Sequence, residues 1–215
     1  MEKIYLIAGM GADVRLFKNL DLSGFEAIDI AFIDPEAKDT IATYAAKLVQ
    51  QYQIAPQLNI IGVSFGGMLA VEIGRQLGMK NVIIISSIKS IDEAPGYYKI
   101  FKTLPIYKLI PGKLMLSMGS LLKPFFSKRM GGESHLFNSM LNNTSPVFLK
   151  WSMGAALNWD GQATQQTIHQ IIGDADLIFD YRKMKNPIII PGGDHMMVMT
   201  RAKEINPIIR NIVTK

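Results

Sequence analysis

The stretch Leu58-Asn59-Ile60-Ile61-Gly62-Val63-Ser64-Phe65-Gly66-Gly67 constrains the fold more than any other part of the chain. Ile60, Ile61 and Val63 form an apolar run of strand character, and a helical pattern starts at Gly67-Met68-Leu69-Ala70-Val71-Glu72-Ile73. One serine separates the two. A strand that passes into a helix across a single residue needs a very tight turn with positive φ, where side chains two positions to either side would collide. Gly62 and Gly66 are the residues such a turn demands, and the pattern is G-x-S-x-G in a strand–turn–helix setting, a nucleophile elbow.

The rest of the chain supplies a sheet for that elbow. Lys3 to Gly9 reads as a strand ending in Gly9-Met10-Gly11, and Ala27 to Phe32 as a second, closed by Asp34-Pro35. Asp39 or Thr40 caps a helix with Ile41, Tyr44, Ala45, Leu48 and Val49 on one face. The elbow helix runs to Leu77 and stops at Gly78, a residue suited to a left-handed C-terminal position. Val82-Ile83-Ile84-Ile85-Ser86 is a continuous β-branched run, the mark of a strand buried on both faces. Thr167 to Ile172 and Pro187 to Ile190 give two more strands, and a terminal helix from Thr200 carries Ile205, Ile208, Ile209 and Ile212. Pro207 is expected to kink or divide that helix. Strands alternating with helices predict an α/β fold, with a mostly parallel six-stranded sheet and helices on both faces.

From Lys89 to Asp160 the alternation stops and apolar residues fall at helical spacing. Tyr97, Ile100, Phe101 and Leu104 make one stripe, and Leu114, Met118, Leu121, Leu122 and Phe125 a second. Leu136, Phe137, Met140 and Leu141 make a third; Ser145-Pro146 then starts a helix bearing Val147, Phe148 and Trp151. Residues 1–88 and 161–215 therefore read as one core, with residues 89–160 as an all-helical insertion within it. Met115, Met118, Met130, Met140 and Met153 of the insertion, with Met10, Met68, Met196 and Met197, are expected to offer an adaptable apolar lining.

Composition narrows the functional classes. The chain has no cysteine, which removes disulfides, thiolate chemistry and Cys-bound metals. No stretch approaches the ~20 apolar residues of a membrane span, and the apolar run after Met1 is too short for a signal peptide. A cytoplasmic protein without a membrane or nucleic-acid partner is expected, since no Arg-rich or aromatic-interleaved patch is present. Net charge is +5, and residues 94–160 carry +6 of it, leaving −1 elsewhere. Such a segment suits an acidic partner, a carrier protein for example, or is simply a solvated face.

In a parallel sheet the ligand crevice lies beyond the carboxyl ends of the strands. After the fifth strand stands Gly173-Asp174-Ala175-Asp176, and after the sixth Pro191-Gly192-Gly193-Asp194-His195. A serine hydroxyl needs a base to take its proton, and a carboxylate to fix the tautomer of that base. Of the three histidines, His169 falls inside a strand and His135 in the insertion, so His195 is the candidate base. Asp176 is the candidate acid, with Asp174 and Asp92 as alternatives; Asp194 adjoins His195 and reads as a loop residue. The N–H groups of Phe65 and Met10 are the candidate oxyanion donors, with Gly9 and Gly11 shaping the turn that presents the latter.

These residues together resemble the α/β-hydrolase superfamily, in its cap-bearing form and without the two leading strands of larger members. The resemblance spans the chain: Ala8-Gly9-Met10-Gly11, Gly62-Val63-Ser64-Phe65-Gly66, Gly173-Asp174-Ala175-Asp176 and Gly193-Asp194-His195. It places the acid in a G-x-x-D loop, which maps to Asp176, and it implies a cap where the helical insertion stands. Many relatives have His-Gly where this chain has Ala8-Gly9. The implied activity is a cofactor-independent, metal-free serine hydrolase cleaving a small carboxylic ester or thioester through an acyl-enzyme. The same three residues serve carbon–carbon bond hydrolases and lyases, and a non-catalytic small-ligand receptor is a further reading of the same fold.

Overall fold

The computed structural model describes residues 1–119, 134–162 and 164–214. Its centre is a six-stranded sheet in the order β2-β1-β3-β4-β5-β6. The strands are β1 (Glu2–Ile7), β2 (Phe25–Asp29), β3 (Asn59–Val63), β4 (Asn81–Ile85), β5 (Ile168–Gly173) and β6 (Ile188–Ile190). All five pairings are parallel. Strand β2 ends earlier than its apolar pattern suggests. It pairs only with β1, whose partners run out at Leu6 opposite Asp29, and the N–H of Ile30 makes the last bond to the Leu6 carbonyl at 2.9 Å.

Side-chain alternation along the strands builds two cores. On one face Tyr5, Ile7, Ile60, Val82 and Ile84 meet α1 (Ile41–Tyr52) and α2 (Phe65–Leu77). On the other, Leu6, Ile61, Ile83 and Ile171 meet the 3₁₀ turn Val14–Phe17 and the terminal helix. Strands covered on both sides have no polar face, which is why their sequences read as unbroken apolar runs. Helix α1 starts at Thr40 in a reciprocal capping box with Thr43, and α2 stops at Gly78 with φ 69°.

Between β4 and β5 the described residues contain no strand. They form α3 (Tyr97–Thr103), α4 (Gly112–Gly119), α5 (Ser134–Asn142) and α6 (Pro146–Leu157). Helix α6 carries Phe148 and Leu149 into the first core, whereas α5 carries Phe137, Met140 and Leu141 into the second. Side-chain bonds that fasten this stretch to the body include Ser145 Oγ to Asp34 Oδ1 at 2.8 Å, Trp151 Nε1 to the Asp39 carbonyl at 3.0 Å, and Trp159 Nε1 to Glu72 Oε1 at 2.8 Å.

The apolar stripes of the insertion are not uniformly covered. The stripe on α3 points outward: Ile100 is 61% and Leu104 63% exposed, and the buried side chain is Tyr98. Val147 and Leu114 also face outward. The side chain of Met118 and all of Leu121, Leu122 and Phe125 lie outside the described residues.

At the C-terminus the break falls at Arg201, between α7 (Met197–Thr200) and α8 (Ala202–Val213), and not at Pro207, through which α8 continues. Pro207 sits on the exposed side of α8, where the backbone hydrogen bond its missing N–H forgoes is least costly.

Candidate active site

Ser64 occupies the single residue between β3 and α2, with φ 52° and ψ −120°. Its two flanking glycines are sterically necessary. A Cβ on Gly62 would stand 2.3 Å from the Gly66 carbonyl oxygen, and one on Gly66 would stand 2.2 Å from the Ala8 carbonyl oxygen. The turn thus lies flush against the end of β1, and Gly9 is brought beside Ser64, an added Cβ there lying 3.3 Å from the Ser64 Cβ.

The loops after β5 and β6 are stitched together. The Ala175 N–H donates to the Gly193 carbonyl at 3.0 Å, and the Gly192 N–H donates to Asp174 Oδ1 at 2.6 Å. This stitching sets Asp176 under His195. His195 Nδ1 lies 2.9 Å from Asp176 Oδ2, and His195 Nε2 lies 3.0 Å from Ser64 Oγ. The imidazole is 3% exposed, with Phe179 against it at a ring separation of 5.6 Å. The Asp176 side chain is fully covered, and its Oδ1 accepts from the N–H groups of Ile178 at 2.8 Å and Phe179 at 3.0 Å.

Burial alone would raise the Asp176 pKa. The charge and hydrogen bond of His195 and the two backbone N–H groups outweigh it, so the carboxyl is held below its ordinary value. An ionised Asp176 accepts the Nδ1 proton, which leaves Nε2 with its lone pair toward Ser64.

The other candidates are placed apart. Asp174 is spent on Gly192, Asp194 caps its own turn through the Met196 N–H, and Asp92 is exposed in the 3₁₀ turn Ile91–Glu93. His169 Nε2 lies 3.3 Å from Asn81 Oδ1, and His135 is exposed on α5. Among the described residues no cluster of three His, Asp or Glu side chains is placed to hold a metal. Among the described residues no helix is long and apolar enough to cross a membrane.

Behind the elbow lies a polar chain that the sequence did not announce. Ser87 Oγ donates to the Ser64 carbonyl at 2.6 Å. Gln170 Nε2 donates to the Ser87 carbonyl at 3.1 Å and to Glu93 Oε2 at 2.7 Å, and the Lys89 N–H donates to the same oxygen at 3.0 Å. Ser87, Gln170 and Glu93 are all buried. The available signal was Gln170, a polar residue beside His169 in a strand that is otherwise apolar.

A cavity of about 230 Å³ opens between the ends of β1 and β2 and helices α5 and α6. Ala8, Phe32, Met140 and Phe148 line it, together with the carboxylates of Asp13, Asp29 and Asp34. Asp13 is held low by its hydrogen bonds to Arg15, whereas burial and then the charge of Asp13 push Asp29 up. Met140 is the one methionine lining this cavity. Met68, Met115, Met196 and Met197 are core residues, and Met130 lies outside the described residues. This cavity therefore has three aspartates among a mostly apolar lining, and none of Ser64, Asp176 and His195 lines it.

A parallel sheet of this order, a strained serine between β3 and α2, and an acid and a histidine on the last two strand ends together define an architecture. The same backbone occurs in a hydrolase from Oleispira antarctica, with a TM-score of 0.76 at 14% identity, covering 100% of this chain and 92% of that one. The chain has the α/β-hydrolase fold. This α/β-hydrolase fold also superimposes on an esterase from Exiguobacterium antarcticum, with a TM-score of 0.74, 14% identity, and 100% and 92% coverage. A bromoperoxidase from Bacillus anthracis matches with a TM-score of 0.71 at 15% identity, again covering 100% and 92%. No family model matches the chain, and no curated protein does.

Proposed function

We propose that the protein is a cofactor-independent serine hydrolase acting on a small carboxylic ester or thioester. The observation that carries this reading is the continuous hydrogen-bonded chain from Asp176 through His195 to a Ser64 held at positive φ. Ser64 Oγ attacks the carbonyl carbon as its proton passes to His195 Nε2, and Asp176 steadies the imidazolium. The C=O π pair moves to oxygen, and the oxyanion is met by the N–H of Phe65, which has no acceptor within α2, and the N–H of Met10. Collapse expels the alcohol or thiol, which takes the proton from Nε2. Water activated by the same nitrogen then attacks the acyl-enzyme and releases the acid, restoring Ser64.

Residues 89–160 serve in this reading as a cap over the site. Two contacts support it: Tyr97 Oη donates to the Ile178 carbonyl at 3.2 Å, just past Asp176, and Ser145 is bonded to Asp34 at the cavity rim. A carbon–carbon hydrolase or lyase working on a carboxylate-bearing substrate needs a cation facing that carboxylate.

The test is a fluorophosphonate probe together with Ser64→Ala. The probe is expected to label Ser64 alone, and Ser64→Ala to lower kcat on activated esters by ~10⁵–10⁶ with the fold intact. Retained turnover in the folded variant would remove Ser64 from the mechanism. Absence of turnover in the parent protein with every activated ester would favour a receptor.

A further inference from the structure

Within residues 100–114, six large apolar side chains face solvent: Ile100, Phe101, Leu104, Ile106, Leu109 and Leu114, with Leu109 84% exposed. A folded surface rarely concentrates apolar groups so closely without something to cover them. Their neighbours are cationic. Lys99, Lys102 and Lys108 are exposed among them, and none forms an ion pair with a described residue. From Ala94 to Gly132 the sequence has seven lysines and arginines and no aspartate or glutamate. Solvated faces of ordinary helices carry both signs; a face that is apolar and cationic, with no acid, matches the surface of an anionic lipid layer.

The placement adds to the chemistry. Helices α3 and α4 and the 3₁₀ turn Ile106–Leu109 between them all pack on α6, so the patch is a rim on one side of that helix. Tyr97 ties the start of the rim to the Ile178 carbonyl in the loop that holds Asp176. The short elements present apolar tips outward while Tyr98, Tyr107 and Met115 anchor them inward.

We propose that residues 97–114 dock the protein on an anionic lipid surface, with the leucine, isoleucine and phenylalanine side chains entering the acyl boundary and the lysines pairing with headgroup phosphates. No crossing helix is needed for such attachment. The inference concerns where the protein sits and does not depend on the chemistry proposed for Ser64.

The experiment is co-sedimentation of the full chain, and separately of Ser64→Ala, with vesicles of phosphatidylglycerol and phosphatidylcholine or of phosphatidylcholine alone. Both proteins are expected to bind the anionic vesicles, and raised salt to release them. Each lysine near such a surface contributes roughly fivefold to partitioning. Replacing Lys99, Lys102 and Lys108 by glutamine is therefore expected to weaken binding about a hundredfold. Leu104→Ser with Leu109→Ser is expected to weaken it at least tenfold, because buried hydrocarbon is lost. Both sets of substitutions should leave the thermal midpoint unchanged, as the side chains are exposed. No binding to anionic vesicles, or binding that survives both sets, overturns the proposal. So does a concentration-dependent dimer that Leu104→Ser with Leu109→Ser dissolves, because a second copy would then cover the patch. Preferential binding of an acidic carrier protein over the vesicles also overturns it. Loss of turnover without loss of vesicle binding would count only against the reading of Ser64.

Discussion

At the carboxyl edge of the sheet, Ser64, Asp176 and His195 stand on three loops that hold one another through backbone bonds and packed glycines. In residues 97–114, three short elements lean on α6 and turn most of their large side chains to solvent. The first region is determined from every side, and small displacements there meet backbone atoms. The second is fixed from one side only, by a few inward anchors. Apolar periodicity tells which residues share a helix face, but only a second covering layer decides whether that face is buried. A seven-residue helix at the edge of a domain lacks that layer.

Substitutions should separate the two regions by orders of magnitude. The largest expected contrast is between Asp176→Asn, which should lower kcat by about 10⁴ by fixing the wrong tautomer of His195, and Asp92→Asn, which should leave kcat within about twofold because no reacting group is touched. Kinetics on an activated ester settles it, and a crippled Asp92→Asn would move the acid to the turn after β4. Asp174→Asn keeps an acceptor for Gly192 and should also be mild.

Next comes the backbone itself. Gly66→Ala forces a methyl into the Ala8 and Ile7 carbonyls, at 2.2 and 2.3 Å, and is expected to cost about 3 kcal/mol or more. The denaturant midpoint should fall with an unchanged slope. A variant as stable as the parent would show that the elbow can relax.

The acid side of the stability profile is a third handle. Asp176 has a lower pKa folded than unfolded, so its contribution is fully present above the unfolded value and is lost as pH falls through the folded one. Unfolding free energy should therefore decline below the ordinary carboxylate range of about 4. The decline should be shallower in Asp176→Asn, where that proton uptake is removed. Parallel profiles for the two proteins would mean that another carboxylate governs the acid limb.

The smallest effect is expected in the insertion. Gly96 has no atom within 4 Å of where a Cβ would lie, and its backbone is helical. Gly96→Ala should thus change stability by no more than ~0.5 kcal/mol in either direction. A large loss there would mean that the start of α3 is held as tightly as the elbow.

Much of the architecture could be read before the structure because its determinants are local. Ile60-Ile61 and Val82 to Ile85 announce strands covered on both faces. Ser64 is pinned by two glycines that nothing else would require. His195 falls at a strand end on the same edge as Ser64, with Asp176, Asp174 and Asp92 as candidate acids, and the family resemblance singles out Asp176. Three features were not legible, each because it depends on parts of the chain distant in sequence. Ser87, Gln170 and Glu93 are ordinary polar residues until β4 and β5 pair and bury them behind the elbow. Asp13, Asp29 and Asp34 meet around one cavity only because β1 and β2 end side by side. The outward face of α3 depends on what does not pack against it.

The sheet order also divides the three candidate reacting groups by time of arrival. Strands β2, β1, β3 and β4 are complete by Ile85 and already contain the serine turn, while the acid and the histidine come on β5 and β6, after residues 86–167. Domains take shape from the N-terminus during synthesis, and pairing β5 with β4 closes the long loop between them at an entropic cost that grows only slowly with its length. A nascent or truncated chain that stops before Ile168 thus carries its serine without a proton acceptor. The hydroxyl gains that acceptor only when the last two strands dock, which makes reactivity toward an electrophile a report on completed folding.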